Sequence, residues 1–435
     1  MIFKERLVIN NFLSISHLDW DIRECNIITG EMASGKSICM KLLYFVYDIF
    51  NKTFFSSSIF FIQEISDVYT ILDNNFRDVF CIADIKDGEI RYTISGNPKN
   101  KVFDVCIEIK DGKCLFKSKY IEINFDKWRY KIVGSLKQND INTFFYVRNY
   151  IINDISSNIG SFFPFGQLYF SDLRTLLIEK NTIITSDPHT NELLSLRGTL
   201  EQRFNNLLTN VSRYPKDKKY ATFSDLYSKI YDVLHIKNII FEGDNIYLVQ
   251  ERDEKIPLSK CSSGQREIFH LLSFISLIHE GMVLEAKTSI MFIEKPEVHL
   301  FPKEQKLFLE LLGYTYNYLN ANGLKWRFFI TTHSPYLLNV FNNMLFKGCL
   351  LKENQNNLKK ISRINETVKF SDFNPDKVSA IFLKHSSHDR LAFVNDDSFM
   401  QNGLNSYFLF SEEIERITGN ISDDYNALQQ LQEEI

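Results

Sequence analysis

The sequence has few of the features that mark secreted, membrane-spanning or low-complexity proteins. Its seven cysteines are an odd number without a C-x-x-C pair, which argues against a disulfide framework or a zinc ribbon. No apolar run approaches the roughly 18 residues needed to cross a bilayer, and the first residues, MIFKERLVINNFL, lack the apolar core of a signal peptide. Only 17 glycines and 9 prolines leave little room for disordered linkers. We therefore expect a cytoplasmic protein in a reducing environment.

The charge balance is slightly acidic. The net charge of -4 gives the chain no overall attraction to nucleic acid or to an anionic membrane. Any nucleic-acid site must therefore be a local patch, and we predict no membrane partner. With 435 residues, 44% of them hydrophobic, the chain is long enough for two or three globular lobes that share a large core.

A glycine-rich segment near the N-terminus follows an apolar strand and precedes an apolar helix. It reads Gly30-Glu31-Met32-Ala33-Ser34-Gly35-Lys36-Ser37 and matches the phosphate-loop pattern G-x-x-x-x-G-K-[ST]. In such a loop the backbone N–H groups surround phosphate oxygens, the lysine reaches the β- and γ-phosphates, and the hydroxyl binds Mg²⁺. The alternative is a chance match, but the strand and helix supply the required context. The residues predicted to bind ATP here are Gly30, Glu31, Ser34, Gly35, Lys36, Ser37 and Ile38.

The middle of the chain shows two periodicities. Alternating runs over residues 79–125, separated by turn residues, predict an antiparallel β-lobe. Apolar residues over 193–211 repeat at helical spacing, and Arg213–Tyr220 is either a nucleic-acid contact or a solvated loop. The predicted domains are an N-terminal ATPase lobe with phosphate loop and β-lobe over 1–132, a mainly helical insertion over 133–237, a C-terminal ATPase lobe over 238–385 and a C-terminal helical tail over 386–435.

Three further segments of the second lobe suit an anion or metal site. Ser262–Gln265 opens an apolar helix, so it forms either an anion site or an ordinary N-cap. The apolar run 290–293 predicts a buried parallel strand, and Glu294 at its end would hold Mg²⁺ beside ATP phosphates. A second apolar strand ends at His333, which is either a structural histidine or, beside the acidic strand, a donor or polarising group near a γ-phosphate.

The order of these motifs resembles that of the ATP-binding-cassette (ABC) ATPases. The motifs SSGQ, PEVHLFP and TTHSPYLL resemble those of the soluble branch, which includes the overcoming-lysogenization-defect (OLD) proteins and the RecF-like and SMC-like heads. The resemblance covers residues 1–60 and 240–385. It implies an α/β ABC-ATPase head, in which a core sheet flanked by helices carries an antiparallel β-lobe and a helical insertion.

The resemblance also implies roles for single residues. Two heads would sandwich ATP, with Ser263 and Gly264 of one head touching the γ-phosphate bound by the other. Tyr169 and Arg174 fit a family segment Y-x-P-A-x-R at only two positions. The remaining residues implied by the resemblance are Ser262 and Gln265 in the signature, Glu294 as magnesium ligand, His299 in the D-loop, His333 as switch histidine and Gln167 as a candidate for the glutamine loop.

One position departs from the family pattern. Relatives carry a second acid before Pro-Glu, and that acid polarises the attacking water, whereas this chain has Lys295. A lysine does not accept a proton from water unless strong burial deprotonates it. Three interpretations follow: Lys295 makes a binding-only switch, Glu297 or a partner residue rescues hydrolysis, or Lys295 pairs with Glu294 and disturbs the magnesium site. We favour the first because the rest of the site is intact.

The function implied by the resemblance is a nucleotide-gated sensor or scaffold in bacterial anti-phage defence. Compact heads without their own nuclease resemble the ATPase subunits of Septu and PARIS, which associate with a separately encoded HNH or TOPRIM nuclease. The implied partners are a second copy of the chain, in a head-to-head dimer or higher homo-oligomer, that effector, and possible nucleic acid. The alternative is a RecF-like DNA-binding clamp in DNA repair, and a transporter ATPase fits the motifs least well.

Overall fold

A computed structural model describes residues 4–54, 62–80, 87–95, 102–136, 141–159, 166–170, 218–242, 245–279, 288–367, 371–384, 388–390, 393–395 and 407–409. Its strands in chain order are β1 (Lys4–Phe12), β2 (Ile15–Ile22), β3 (Cys25–Gly30), β4 (Gly88–Ser95), β5 (Val102–Lys110), β6 (Lys113–Lys117), β7 (Gly166–Phe170), β8 (Asn238–Glu242), β9 (Asn245–Val249), β10 (Lys255–Pro257), β11 (Thr288–Glu294), β12 (Lys325–Thr331), β13 (Val378–Leu383), β14 (His388–Arg390), β15 (Phe393–Asn395) and β16 (Tyr407–Leu409). Its helices are α1 (Lys36–Lys52), α2 (Ile65–Val79), α3 (Lys119–Leu136), α4 (Ile141–Ile159), α5 (Lys218–Leu234), α6 (Ser263–His279), α7 (Pro302–Ala321), α8 (Pro335–Glu353) and α9 (Leu358–Thr367).

A mixed sheet with strand order β14-β13-β3-β12-β11-β7 forms the centre of the fold. All neighbouring pairs are parallel except β13 with β14. Glu294 at the end of β11 pairs with Thr331, which pairs with Ile28 near the end of β3. Because parallel strands end at the same sheet edge, the segments after β3, β11 and β12 lie side by side there.

The strands of this sheet are apolar because both of their faces are covered. Phe292 and Phe329 pack into the cluster formed with α1, α2 and the antiparallel β-lobe. Their neighbours Met291 and Phe328 pack into the opposite cluster with helices α5 to α8. Helices therefore flank the core sheet, which confirms the predicted α/β class.

The antiparallel β-lobe has strand order β2-β1-β4-β5-β6, as the alternating runs predicted. One predicted strand in this region is wrong, because residues 120–125 belong to helix α3. Ile121, Phe125, Trp128 and Ile132 are all buried, at spacings of four, three and four residues. A window that ends at Phe125 sees only local alternation, whereas the longer run has the period of a helix.

A buried ion pair joins the β-lobe to the core sheet. Arg327 on β12 pairs with Glu5 on β1, and both residues are almost fully buried. Tyr92 donates a hydrogen bond to Glu5 Oε1 at 2.6 Å, and Tyr47 on α1 donates to the same oxygen. The Arg327 guanidinium also lies 5.2 Å from the centroid of the Tyr47 ring. One carboxylate thus connects β1, β4, α1 and β12.

The predicted insertion over 133–237 contains helix α4, the edge strand β7 and helix α5, whereas helix α3 lies mostly before it. The apolar repeat at 193–211 lies outside the described residues, as does Arg213–Tyr220 apart from its last three residues in α5. The predicted helical tail is wrong at 388–390, 393–395 and 407–409, because these backbones pair as strands. The acidic and leucine-containing segments that suggested a helix begin after residue 410, outside the described residues.

Disulfides and membrane-spanning helices are both absent from the residues described above. The six cysteines among them form no disulfide, and none of their helices is both long and apolar enough to span a bilayer.

Candidate functional site

The phosphate loop turns sharply between β3 and α1, and glycine is required at both of its ends. Gly30 has φ +140° and Gly35 has φ +101°. A Cβ atom on Gly30 would lie 2.1 Å from the carbonyl oxygen of Leu383, and one on Gly35 would lie 2.6 Å from Cγ1 of Ile15. The N–H of Glu31 also donates to that Leu383 oxygen at 3.0 Å. The loop is therefore fixed against β13 on one side and β2 on the other.

Lys36 directs its ammonium back into this loop. Its Nζ donates to the carbonyl oxygen of Gly30 at 3.0 Å, to that of Glu31, and to Ser34 Oγ at 3.3 Å. Burial, followed by the positive charge of Lys295, lowers the pKa of Lys36 to about 8. The charges of Glu297 and Glu31 partly oppose this lowering. A phosphate would add negative charge beside a buried ammonium whose hydrogen bonds go to neutral oxygens.

Helix α1 begins at Lys36, and no side chain caps its start. The first N–H groups of a helix have no partner within the helix, and they carry its positive dipole end. The first helical residues therefore offer donors for phosphate oxygens. Among them, Ser37 is half-buried and supplies the hydroxyl predicted to bind Mg²⁺, and Ile38 packs its side chain against the core.

Glu294 is the buried carboxylate at the end of β11, with 3% of its surface exposed. Tyr169 on β7 donates a hydrogen bond from its hydroxyl to Glu294 Oε1 at 2.8 Å. The Tyr169 ring stacks on Phe292 and meets Tyr44 of α1 edge-on, at centroid distances of 5.6 Å in both cases. Tyr169 is therefore locked in place and orients the carboxylate. The hydroxyl of Ser37 and this carboxylate are hard oxygen donors, which suit Mg²⁺.

Lys295 follows at the sheet edge in a left-handed conformation, with φ +42°. Its N–H donates to Thr331 O at 2.9 Å and to Thr331 Oγ1 at 3.2 Å, so β12 holds the backbone of this residue. The positive charge of Lys295 contributes to lowering the pKa values of both Lys36 and His333. Its charge therefore acts on the phosphate loop and on the switch histidine.

His333 is exposed at the end of β12. Burial of its ring, followed by the charges of Lys36 and Lys295, lowers the pKa of His333, and a hydrogen bond with the backbone of Gly30 opposes this effect. The backbone N–H of His333 donates to Glu297 Oε1 at 2.8 Å. The Glu297 carboxylate thus holds the switch segment in place, although the sequence suggested it as a substitute base.

Ser334, directly after the switch histidine, caps helix α8. Its hydroxyl accepts from the N–H of Leu337 at 3.3 Å and donates to Gln305 on α7 at 2.6 Å. Its own N–H donates to Thr332 Oγ1 at 2.9 Å. The sequence indicated the strand end, but nothing in it pointed to Gln305, because the partner comes from another helix.

The predicted signature segment divides into two parts. Ser262 and Gln265 form a reciprocal cap on helix α6, with Ser262 Oγ accepting from the N–H of Gln265 at 3.2 Å and Gln265 Oε1 accepting from the N–H of Ser262 at 3.3 Å. Gln265 Nε2 also donates to Leu234 O at 2.8 Å. The N-cap interpretation therefore holds for these two residues, and Ser263 and Gly264 remain as the candidates for contact with a nucleotide.

Gly264 packs against the D-loop segment of the same chain. A Cβ atom on Gly264 would lie 2.5 Å from the carbonyl oxygen of His299. His299 itself is exposed and has φ +60°. The signature helix and the segment after the acidic strand therefore form one continuous surface.

The backbone of Gln167 lies on β7, away from the sheet edge that carries Glu294. It pairs with Ile290, four residues before Glu294 on β11. At about 3.3 Å per residue the two levels are about 13 Å apart along the strands, so the assignment of Gln167 to a glutamine loop is not supported. Arg174 lies outside the described residues.

One family profile matches this sequence, and several solved structures are similar to the chain. The sequence profile of the AAA ATPase domain family matches residues 4–338, which is more than half of the chain. Among solved structures, the chain is similar to the SMC head domain from Thermotoga maritima, with 10% identity, 90% of this chain and 99% of that chain covered, and a TM-score of 0.36. It is also similar to an Smc head bound to the C-winged helix domain of ScpA, with 12% identity, 91% of this chain and 99% of that chain covered, and a TM-score of 0.39. A third similar structure is the recombination mediator RecF with ATPrS, with 13% identity, 90% of this chain and 98% of that chain covered, and a TM-score of 0.34. No curated protein matches.

Proposed function

This chain belongs to the AAA ATPase domain family, and we propose that it is a nucleotide-gated switch that binds ATP with Mg²⁺ and hydrolyses it slowly or not at all. The main support for this proposal is the presence of Lys295 at the position where relatives have the water-activating acid. Its positive charge acts on Lys36 and His333. An ammonium cannot take a proton from water. It does attract phosphate.

The other residues of the site support binding. Lys36 and the first N–H groups of α1 would hold the phosphates, and Ser37 and Glu294 would hold Mg²⁺. The bound ion would neutralise phosphate charge. Glu297 is a poor substitute for the missing acid, because one of its oxygens already accepts from the N–H of His333.

Binding and turnover can be measured on the same purified protein. We expect the protein to bind ATP with Mg²⁺ by calorimetry, and Lys36→Ala to abolish that binding because the ammonium is lost. Phosphate release should be close to background. Lys295→Glu should raise it, since the substitution supplies the acid that relatives carry. Robust hydrolysis by the unmodified protein would contradict the proposal, and tight binding by Lys36→Ala would contradict the assignment of the loop.

We further propose that ATP closes two copies of the chain head to head, with Ser263 and Gly264 facing the nucleotide of the partner copy. Large apolar side chains on the segments that surround the site support this proposal. Met32 in the phosphate loop is 83% exposed and Phe301, two residues after His299, is 75% exposed. Apolar surface of this kind, next to an anion site, is typical of an interface.

Light scattering with and without ATP tests this dimer. We expect ATP to double the mass of the unmodified protein. Phe301→Asp should prevent the change but leave ATP binding by the monomer intact. Tyr130→Asp on α3 is a matched control, since it replaces another exposed aromatic residue outside the phosphate-loop, signature and switch segments. Equal dimer formation by both variants would exclude Phe301 from the interface.

The biological role that we propose is that of a sensor or scaffold for a separate nuclease effector in anti-phage defence. It rests on the resemblance of the motifs to Septu and PARIS subunits. Co-purification with the product of a neighbouring gene would support it. ATP-dependent binding of duplex DNA in the absence of such a partner would instead favour the RecF-like clamp, the alternative function.

A further inference from the structure

Two side chains that carry or accept positive charge bind the backbone of Gly30, and a third positive charge acts on both of them. Lys36 donates to the carbonyl oxygen of Gly30, and His333 makes a hydrogen bond with the backbone of the same residue. The positive charge of Lys295 contributes to lowering the pKa values of both of these side chains. Bringing like charges together destabilises a folded protein, so this arrangement needs a functional explanation.

The fold holds Lys295 at this point through its backbone. Both hydrogen bonds of its N–H go to Thr331 on the neighbouring strand, and a φ of +42° is unusual for a lysine. The hydrogen bond from Val298 N to Lys295 O at 3.2 Å closes the turn that follows. The side chain therefore leaves the sheet edge from a fixed position directly after Glu294.

The position beside Glu294 determines which phosphate Lys295 would meet. In phosphate-loop proteins a Mg²⁺ ion held by the loop hydroxyl and an acidic strand end bridges the β- and γ-phosphates. Lys36 approaches these phosphates from the loop after β3. Lys295 approaches from the end of β11, two strands further along the sheet. The two lysines would thus approach the terminal phosphate from two different strands of the sheet.

We infer that Lys295 is the residue that recognises the γ-phosphate and makes the site selective for a nucleoside triphosphate over a diphosphate. This inference rests on the proposed ATP binding and extends it. The lysine that removes hydrolysis supplies the contact that distinguishes ATP from ADP. The site then distinguishes ATP from ADP without hydrolysing ATP.

Calorimetry with ATP and with ADP, each with Mg²⁺, tests the inference in the full chain. Lys295→Gln should weaken ATP binding about tenfold to a hundredfold, the effect expected for loss of a hydrogen bond to a charged group. ADP binding should change by less than about threefold. Lys295→Arg should keep most of the selectivity because it keeps the charge. Lys255→Gln is the matched control, since Lys255 pairs with Glu242 in the small sheet β8–β10.

A second measurement separates recognition from a structural role. Lys295→Gln relieves the repulsion of Lys36 and His333, so thermal unfolding of the ligand-free variant should occur at the same or a higher temperature than in the unmodified protein. A lysine that merely supports the fold would show the opposite, a lower unfolding temperature. Stabilisation of the free protein together with weaker ATP binding is the signature of a residue kept for its ligand.

The possible results are distinct. An unchanged ratio of ATP to ADP affinity in Lys295→Gln, or an equal loss of both affinities, overturns the inference. If Lys295 instead pairs with Glu294, the substitution should change the Mg²⁺ dependence of binding and leave the ratio intact, which also overturns it. Failure of the unmodified protein to bind either nucleotide would refute the proposed function itself, because Lys36 and Glu294 would then serve another purpose.

Discussion

The lowered pKa of Lys36 predicts that ATP binding weakens as the pH rises through about 8. Burial and the charge of Lys295 bring the pKa of this group from 10.5 to about 8 in the ligand-free protein. Below pH 8 the ammonium predominates and can bind phosphate. Above pH 8 the free protein holds mostly the neutral amine, and binding must then take up a proton. The affinity for ATP should therefore be constant near neutral pH and fall in alkaline solution.

The size of the effect follows from this pKa. At pH 7 about nine in ten ligand-free molecules carry the ammonium, and at pH 9 about one in eleven do. The apparent dissociation constant for ATP should therefore rise about tenfold between pH 7 and pH 9, which corresponds to about 1.4 kcal/mol. The same shift disfavours folding of the ligand-free protein below pH 8, and that penalty disappears as the pH rises from about 8 to 10.5, where the unfolded lysine also loses its proton.

Titration calorimetry between pH 6.5 and 9.5 in buffers of different ionisation heat measures both the affinity and the proton uptake. Lys295→Gln is an informative variant, because removal of the neighbouring charge should raise the pKa of Lys36 and move the fall in affinity to higher pH. Lys255→Gln should leave the profile unchanged. The titration of the ATP phosphate, with a pKa near 6, is almost complete before this range becomes important. A flat profile from pH 7 to 9.5, or an identical profile in Lys295→Gln, would refute the reasoning.

Three further predictions concern the contacts around the site. Arg327→Met leaves the buried Glu5 carboxylate without its cation and should lower the free energy of unfolding by about 3–5 kcal/mol in urea titrations. The double variant Arg327→Met with Glu5→Gln should recover part of this loss. A single variant as stable as the unmodified protein would contradict this. Tyr169→Phe should preserve the fold but raise the Mg²⁺ concentration needed for ATP binding about tenfold, because Glu294 loses its orienting hydrogen bond; an unchanged Mg²⁺ titration would exclude that role. Gly264→Ala brings a Cβ within 2.5 Å of a backbone oxygen and should abolish the ATP-dependent dimer in light scattering while monomeric ATP binding persists.

The sequence predicted the strand ends that form the site. A buried parallel strand is apolar along its length, so the first polar residue after it marks the edge of the sheet. Glu294 was located in this way, His333 by its place two residues after the next apolar strand, and Gly35 and Lys36 by a loop pattern with few alternatives. Local sequence was sufficient because each of these residues owes its position to its own strand and turn.

The partners of these residues were not predictable, because they come from distant parts of the chain. Tyr169 and Glu294 are 125 positions apart, and Glu5 and Arg327 are 322 positions apart. Each is a buried polar side chain on a strand with buried apolar residues, so it needs a buried partner, but the local sequence does not identify that partner. The same limit applies to Glu297, whose bond to the switch backbone depends on the pairing of β11 with β12.

The buried Glu5 carboxylate determines how the site relates to the rest of the head. Tyr47 lies on the helix that begins with Lys36, and Arg327 lies on the strand that ends beside His333. Both side chains bind Glu5, which belongs to the β-lobe. A displacement of the phosphate-loop helix relative to the switch strand would leave part of this carboxylate unpaired in a dry interior, at a cost of several kcal/mol. We therefore expect the phosphate-loop helix, the switch strand and the β-lobe to move together in any conformational change of the head.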